Sequence, residues 1–326
     1  MTLLLRRVIF ALPMTRERLE KHQVWLYLVA VATGVGLGLW FRLEVADALI
    51  YLPLGVLLYA TFAQVPVTHL PEAMRDRRYL TATLLANFVL VPVAIWLLAW
   101  LAPPEPAILL GLYMVLLVPC TDWFIVFAHL GRGDARLAIT STPIILLAQF
   151  LLLPLYLWLF MGETFSDIIR AGPFVQVFVL LIVIPLILAG STQIWGDRRP
   201  TGRKMIEGLA WLPVPCLGIV LFLIATTQAG QVVDDMRGME RVVLVFVLYL
   251  VAAAGIGMLT AWMLGLSSIA GRTLIFSVGT RNSFVVLPFA LALPAGWEAA
   301  VTVVVLQPLV ELLGILVYLR VVPRCV

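Results

Sequence analysis

The sequence predicts an all-α integral membrane protein. Of its 326 residues, 63% are hydrophobic and only 12% are charged, and the mean hydropathy is +1.07. Soluble domains are about 45–50% apolar and about 25% charged, so this composition lies outside their range. The apolar residues form runs of about 20 residues, the length that an α-helix needs to cross a hydrocarbon core of about 30 Å. The runs lack the period-two alternation of a membrane β-barrel, so helices are predicted.

Ten spans can be placed along the chain, and the short connections between them hold most of the charged residues. Their approximate bounds are 23–41, 47–67, 80–102, 107–130, 137–161, 173–195, 206–228, 242–264, 273–294 and 299–320. No soluble domain fits between them. In residues 1–22, charges interrupt a short apolar stretch, which predicts an N-terminal segment at the cytoplasmic membrane surface rather than a signal peptide.

The basic residues are distributed unequally between the two sides of the membrane. Most of the 22 lysines and arginines lie in the terminal segments and in the connections after spans 2, 4, 6 and 8. Because cytoplasmic loops are enriched in lysine and arginine, a multi-pass protein of the cell membrane with both termini in the cytoplasm is predicted. The net charge of +4 comes from these helix ends. The lipid bilayer is therefore the expected partner, and no nucleic acid is expected.

The spans divide into two halves of five, over 23–162 and 173–326. Span 4 and span 9 each contain a polar interruption in the fourth position of their half, and spans 5 and 10 each carry a mid-span amide, Gln149 and Gln307. Since five is an odd number, a repeat of this kind must be inverted in the membrane. Inverted repeats with paired broken helices recur in secondary transporters, so helices 4 and 9 are predicted to break and to cross near the midplane.

The two interruptions put charged residues at depths where charge is costly. Span 4 contains VPCTDW at 118–123, and span 9 contains GTRNS at 279–283. A central charge costs about 2.5–3.5 kcal/mol on insertion scales, so Asp122 and Arg281 should face the bundle interior, close to each other. Where broken helices cross, helix ends of like sign meet, and a carboxylate or a guanidinium can offset them. The pair can also serve only to stabilise the crossing.

The polar residues of the two breaks are the candidate substrate ligands. They are Cys120, Thr121, Asp122, Arg281, Asn282 and Ser283. A soft thiolate prefers soft metals and metalloids, which favours Cys120 as a ligand for such a substrate. The hydroxyl and amide groups can bind a hydrated cation or a polyhydroxy substrate, or can form packing contacts between helices. Cys120, Cys216 and Cys325 show no CxxC spacing, so neither a disulfide framework nor a zinc site is predicted.

Further polar residues within the spans are candidates for ion coupling. Glu311 follows Gln307 by four residues and shares its helix face. Burial favours the neutral form of a carboxylic acid, so Glu311 can carry a proton, or it can be a glutamate held by structural hydrogen bonds. Asn87, Gln149 and Asp122 complete the set.

Motifs of other chemistries are absent from the sequence. Nothing matches GxxxxGK[ST], so energy from ATP within this chain is not predicted, and neither HExxH nor GxSxG occurs. No enzyme activity and no cofactor are expected, apart from a coupling ion, H⁺ or Na⁺.

Three segments resemble the arsenical-resistance permeases, a branch of the bile acid:sodium symporter superfamily. They are LVPCTDW at 117–123, GRGD at 131–134 and FSVGTRNS at 276–283. The resemblance covers nearly the whole chain in span order. It implies a panel domain of spans 1, 2, 6 and 7 and a core domain of spans 3, 4, 5, 8, 9 and 10. It also implies alternating access by an elevator-like or rocking motion.

The arsenite-efflux branch requires a cysteine in span 4, and the resemblance implies that Cys120 is this residue and an arsenic(III) ligand. That branch also has an acidic residue in span 9, shortly after an Asn-Asn pair. This chain instead has Arg281 and Asn282, with no carboxylate following. Either Asp122 or Glu311 does the work of that acid, or the substrate and the coupling ion differ.

The sodium sites of the bile-acid branch use glutamate, glutamine and asparagine. Asn282, Gln307 and Glu311 match these sites in residue type only.

Two transport functions follow from these observations. The first is export of arsenite by a secondary transporter driven by proton exchange, with Cys120 and Asp122 at the site. The second is sodium-coupled transport of an organic anion that meets Arg281. An intramembrane aspartyl protease needs two facing aspartates, whereas Asp122 is the single deep aspartate of the predicted spans. A membrane sensor without transport is the remaining alternative, and the sequence specifies no oligomeric state.

Overall fold

The computed structural model describes residues 16–41, 47–65, 76–121, 123–170, 173–234 and 238–326. Within these ranges the chain folds into helices and contains no β-strand, only one isolated β-bridge. The helices are α1 (Arg16–Phe41), α2 (Asp47–Gln64), α3 (Arg77–Ala99), α4 (Pro106–Leu116), α5 (Trp123–Leu130), α6 (Ala135–Met161), α7 (Glu163–Arg170), α8 (Pro173–Phe178, continued through 179–183 into Ile184–Arg198), α9 (Pro200–Leu209), α10 (Pro213–Asp234), α11 (Met239–Met263), α12 (Ser268–Gly279), α13 (Ser283–Leu291) and α14 (Glu298–Cys325).

The helices have the length and surface of a membrane protein. In the part of the chain that is described, six stretches are long and apolar enough to cross a bilayer: Arg77–Ala99, Ala135–Met161, Gln176–Arg198, Pro200–Thr227, Met239–Met263 and Glu298–Cys325. Shorter apolar helices accompany them. Large apolar side chains point outward, such as Leu151 and Trp262, which are 77% and 79% exposed. A soluble protein rarely exposes so much apolar surface, so the prediction of a multi-pass helical membrane protein is confirmed.

Two helices contain a π-helical turn just before a proline. In α3 the turn covers Ala86–Leu90 and Pro92 follows, and in α8 it covers Val179–Val183 and Pro185 follows. Proline has no N–H to donate and its ring crowds the preceding turn, so the helix widens locally instead of ending. In α3 the Tyr156 hydroxyl donates to the carbonyl of Phe88, four residues before the proline.

Some predicted boundaries are wrong. Span 7 was expected to begin at residue 206, but the chain leaves the helix at 210–212 and α10 begins at Pro213, where a missing N–H costs nothing. Residues 200–209 form the separate helix α9, and the short helix α7 was not predicted. Helix α1 begins at Arg16, before the predicted span, and its apolar part, Trp25–Trp40, agrees with the predicted span 23–41.

Helices α1, α2, α8 and α10 pack on one another, and helices α3 to α6 pack with α11 to α14. Glycines permit the closest approaches. A Cβ on Gly34 of α1 would lie 2.6 Å from the carbonyl oxygen of Phe222 in α10. A Cβ on Gly111 of α4 would lie 2.7 Å from the carbonyl oxygen of Ala300 in α14.

The GRGD segment at 131–134 has a packing role. A Cβ on Gly131 would meet the ring of Phe276 at 2.1 Å, so only glycine fits there. The Thr273 hydroxyl accepts a bond from the backbone N–H of Asp134 at 2.7 Å, and the Asp134 carboxylate caps the start of α6. These contacts hold the connection between α5 and α6 against α12.

Substitution of Gly111 by alanine should destabilise the protein, because the new methyl group overlaps the backbone of α14. We expect a cost of about 1–3 kcal/mol, seen as a lower melting temperature of the detergent-purified protein. Gly255→Ala in α11 is the matched control, since its Cβ would meet nothing within 4 Å. A similar melting temperature for the two variants would contradict close packing of α4 against α14.

Candidate functional site

Two broken helices meet at the centre of the candidate site. Helix α4 ends at Leu116 and α5 begins at Trp123, while α12 ends at Gly279 and α13 begins at Ser283. The non-helical residues between them, 117–121 and 280–282, run antiparallel where they pair, and we call them the crossing. The Cys120 N–H donates to the Thr280 carbonyl at 3.1 Å. The predicted meeting of the two interrupted helices is therefore observed.

A second main-chain bond completes the crossing. The Asn282 N–H donates to the Val118 carbonyl at 2.8 Å, and Pro119 pairs with Arg281 between the two bonds. Proline lacks an N–H and cannot continue the helix, so it ends α4 and leaves carbonyls for another segment. Asp122 lies outside the described residues, so its pairing with Arg281 stays a prediction.

The guanidinium of Arg281 is buried at the C-terminal ends of two half-helices. Its Nη1 donates to the Leu116 carbonyl at 3.3 Å, at the end of α4. Its Nη2 donates to the Ser277 carbonyl at 3.4 Å and to the Val278 carbonyl, near the end of α12. Helix C-termini carry partial negative charge, so the guanidinium offsets two like helix ends, as expected for a charge at this position.

Asn87 connects Arg281 to the π-helical turn of α3. Its Oδ1 accepts from Arg281 Nη2 at 2.8 Å. Its Nδ2 donates to the Thr83 carbonyl at 3.1 Å and to the Ser277 hydroxyl at 3.2 Å. These two bonds orient the amide oxygen toward the guanidinium. Ser277 was not among the predicted site residues, because nothing in the sequence shows that it faces α3.

A hydrogen-bonded chain joins α14 to the other side of the crossing. Glu311 accepts from the Arg281 backbone N–H at 2.8 Å and from Gln307 Nε2 at 2.6 Å. The Ser283 hydroxyl donates to Gln307 Oε1. All four residues are buried. The structure thus brings Gln307 and Glu311 onto one helix face, in contact with the second break.

Asn282 caps the start of α13 and lines a small cavity. Its Oδ1 accepts from the Val285 N–H, and its Nδ2 donates to the Thr121 hydroxyl at 3.2 Å. The cavity has a volume of ≈ 20 Å³, room for about one water molecule. It lies between the crossing and helices α1, α2 and α10, and its lining includes Tyr27, Thr61, Trp123, Asn282 and Phe284. Trp123 stacks on Tyr27 with ring centroids 6.0 Å apart.

The Cys120 side chain points away from this cavity. It is 2% exposed and packs in an apolar cluster with Phe88, Phe124 and Ile145, on the side of α3 and α6. The lining of the cavity does not include Cys120. Among the described residues no group of three or more His, Cys, Asp or Glu side chains could hold a metal ion.

Gln149 does not belong to the hydrogen-bonded groups around the crossing. It is buried in α6, and both atoms of its amide lack a hydrogen-bond partner among the described residues. Its mid-span position matches that of Gln307, but the contacts of the two amides differ.

Comparison with known proteins decides the family. A sequence model of the Sodium Bile acid symporter family matches residues 51–235, which is more than half of the chain. The chain belongs to the Sodium Bile acid symporter family. It is a membrane transporter and not an enzyme, which removes the protease alternative.

Similarity to a characterised protein extends over almost the full length of this symporter-family chain. The Arsenical-resistance protein Acr3 of Corynebacterium glutamicum is 23% identical over 319 residues, spanning 90% of this chain and 86% of that protein. The resemblance seen in the sequence is thereby confirmed.

Loss of the carboxylate acceptor at position 311 should destabilise this transporter. Glu311→Leu leaves the Arg281 N–H and the Gln307 amide without an acceptor, and each buried unsatisfied donor costs about 1–3 kcal/mol. Glu311→Gln keeps an acceptor oxygen and should retain most of the stability. Melting temperatures in detergent compare the two. Equal losses would show that hydrogen-bond acceptance by residue 311 does not stabilise the crossing.

Proposed function

We propose that this transporter exports arsenite across the cytoplasmic membrane in exchange for protons. The observation that carries this proposal is the crossing of two broken helices in a chain whose similarity to an arsenical-resistance protein extends over 90% of its length. In secondary transporters, broken helices supply binding groups to substrates and ions near the middle of the membrane.

The proposed architecture is that of ten spans in two inverted repeats of five, over 23–162 and 173–326, with the crossing near the midplane. Spans 1, 2, 6 and 7 form the panel domain and the remaining spans form the core domain. The packing of α1, α2, α8 and α10 on one another supports this division. Both termini are proposed to be cytoplasmic, from the distribution of lysine and arginine.

The substrate is proposed to bind where the cavity now lies, between panel and core. Undissociated arsenite carries three hydroxyl groups, which suit the Asn282 amide and the Thr61 hydroxyl of the cavity lining and the Thr121 hydroxyl bonded to Asn282. The Ser283 hydroxyl, which donates to Gln307 outside that lining, is proposed to join them once the crossing moves. A cavity of ≈ 20 Å³ is too small for it, so the core must move away from the panel before substrate enters. The aromatic contacts of Trp123 with Tyr27 and Phe284 would open in this step.

Cys120 is proposed to bind arsenic(III) only during part of the cycle. Its thiol is covered by Phe88 and Phe124, and its N–H belongs to the crossing. A shift of residues 117–121 would carry the thiol with it. Soft sulfur favours arsenic(III) over the hard ions that oxygen ligands prefer.

Glu311 is the proposed proton carrier. Its carboxylate lies beside the crossing, and two donors approach its Oε2. Protonation would weaken both bonds, so the charge of Glu311 and the position of the crossing would depend on each other. Asp122, Asn87, Gln149 and Gln307 remain secondary candidates for ion coupling, Asp122 on its sequence position alone.

Sodium-coupled transport of an organic anion is less well supported. That function would use Arg281 to meet a carboxylate or sulfonate. Instead, the guanidinium donates to three carbonyls and to the Asn87 amide, and it does not line the cavity.

Arsenite resistance in a sensitive bacterial strain tests the proposal. Expression of the wild-type chain should restore growth on arsenite, and Cys120→Ser should remove at least most of this effect because the soft ligand is lost. Cys216→Ser is the matched control, a buried cysteine in α10. Immunoblots establish equal amounts in the membrane. Full resistance with Cys120→Ser would exclude a central role for the thiol.

Flux in everted vesicles tests the coupling ion. Arsenite should accumulate when the lumen is acidic, and Glu311→Gln should abolish this stimulation while the protein stays folded, because an amide cannot take up the proton. Replacement of sodium by choline should have no effect. Transport that requires sodium, or that ignores the proton gradient in the wild type, would overturn proton exchange.

A further inference from the structure

In the described part of the chain, the oxygen atoms that accept from the guanidinium of Arg281 are uncharged, while the Glu311 carboxylate accepts from its backbone N–H. The guanidinium is buried, and Arg281 is 3% exposed. Its acceptors among the described residues are the carbonyls of Leu116, Ser277 and Val278 and the amide oxygen of Asn87. We call these four oxygen atoms the oxygen cage. A charged side chain within a membrane usually pairs with an opposite charge. Here uncharged dipoles stabilise the buried guanidinium instead.

The oxygen cage has the composition of a binding site for a monovalent cation. Hard cations take carbonyl and amide oxygens as ligands, and ion channels replace the hydration shell with rings of carbonyls. In broken-helix transporters, unwound carbonyls and half-helix C-terminal ends bind sodium. Here the carbonyls come from the ends of α4 and α12, where the helix dipoles add partial negative charge.

Other residues hold two of the four cage oxygens, those of Asn87 and Val278, in place without using Arg281. The Asn87 amide is oriented by the Thr83 carbonyl and the Ser277 hydroxyl. The Tyr249 hydroxyl donates to the Val278 carbonyl at 2.7 Å, and the Tyr249 ring lies 5.3 Å from the guanidinium carbon, within range of a cation–π interaction. The cage should therefore persist when the guanidinium is removed.

The guanidinium itself is only partly satisfied. Its Nε is buried and has no hydrogen-bond partner in the described part of the chain. Sites built for arginine usually meet the whole planar group with several acceptors. The oxygen cage instead surrounds the two terminal nitrogens, as it would surround a compact cation.

We propose that Arg281 is a tethered substitute for a free monovalent cation. Its guanidinium fills the oxygen cage and supplies, permanently, the single positive charge that the ends of α4 and α12 require. No ion from solution is needed at this site, and sodium does not occupy it during transport. The consequence for transport rests on the proposed function, whereas the occupancy of the cage does not.

Thermal unfolding of the detergent-purified full chain tests this proposal. In choline chloride, Arg281→Ala should melt several degrees below the wild type. Millimolar sodium or guanidinium chloride should then raise its melting temperature saturably, because a ligand that binds only the folded state stabilises it. The wild type should show no such cation-specific rise. Arg272→Ala, which loses a guanidinium bonded to the carbonyls of Arg132 and Val326, should melt alike in all three salts.

A further variant ties the rescue to the oxygen cage. Adding Asn87→Ala to Arg281→Ala removes one cage oxygen and should weaken the rescue. If Arg281→Ala is purified only in the presence of sodium or guanidinium, the proposal is supported. If Arg281→Ala cannot be purified in any of the salts, the melting temperature of Arg281→Gln is measured in the same way.

Two results would overturn the proposal. One is a sodium-specific rise in the melting temperature of the wild type. The other is the absence of cation rescue in the Arg281 variants. None of these measurements involves arsenite, so their outcome is independent of the flux experiments. Cation rescue can succeed when arsenite transport is absent, and arsenite transport can be present without cation rescue.

Discussion

Lipid offers no hydrogen-bond partner to a backbone group, so a helix can be interrupted inside a membrane only where protein supplies the missing bonds. At the crossing, Cys120 and Asn282 donate their N–H groups to carbonyls of the opposite segment. Each broken helix thus supplies a hydrogen-bond acceptor to the other. The remaining carbonyls at the ends of α4 and α12 receive the guanidinium of Arg281.

This arrangement makes the crossing the point at which several helices are joined. Asn87 of α3 accepts a hydrogen bond from the Arg281 guanidinium, and Glu311 of α14 accepts one from the Arg281 N–H. Tyr249 of α11 donates to the Val278 carbonyl beside them. A displacement of the crossing must therefore rearrange bonds on all three helices together. Protonation of one carboxylate, or loss of one aromatic contact at the cavity, can bias such a set between discrete arrangements, which alternating access requires.

The sequence predicted most features that depend on composition and on the cost of buried polarity. The first break was predicted from Pro119 and the polar residues that follow it within an apolar run. The second was predicted from Arg281 and its polar neighbours. Their meeting followed from equivalent positions in the two halves. The same reasoning placed Glu311 and Gln307 on one helix face, and the structure joins both to Ser283.

Other features depend on contacts between distant residues, which no local pattern reveals. Ser277 contacts Asn87 from 190 residues away, and no local pattern pairs these two residues. The orientation of Cys120 toward Phe88 rather than toward the cavity is likewise set by tertiary packing. Pro213 marks a possible helix start in the sequence, but the apolar run continues across it, so the break between α9 and α10 was not predicted.

Cross-linking across the crossing tests the account most directly. In a chain whose three cysteines are replaced by serine, Thr121→Cys and Asn282→Cys replace a hydroxyl and an amide that now lie 3.2 Å apart with two thiols on the two segments of the crossing. A small membrane-permeant reagent that bridges two thiols should yield a linked peptide pair by mass spectrometry, as it should for the control pair Tyr59→Cys and Thr192→Cys, which replace two hydroxyls 2.8 Å apart between α2 and α8. A linked control without any link between positions 121 and 282 would contradict the meeting of the two broken helices.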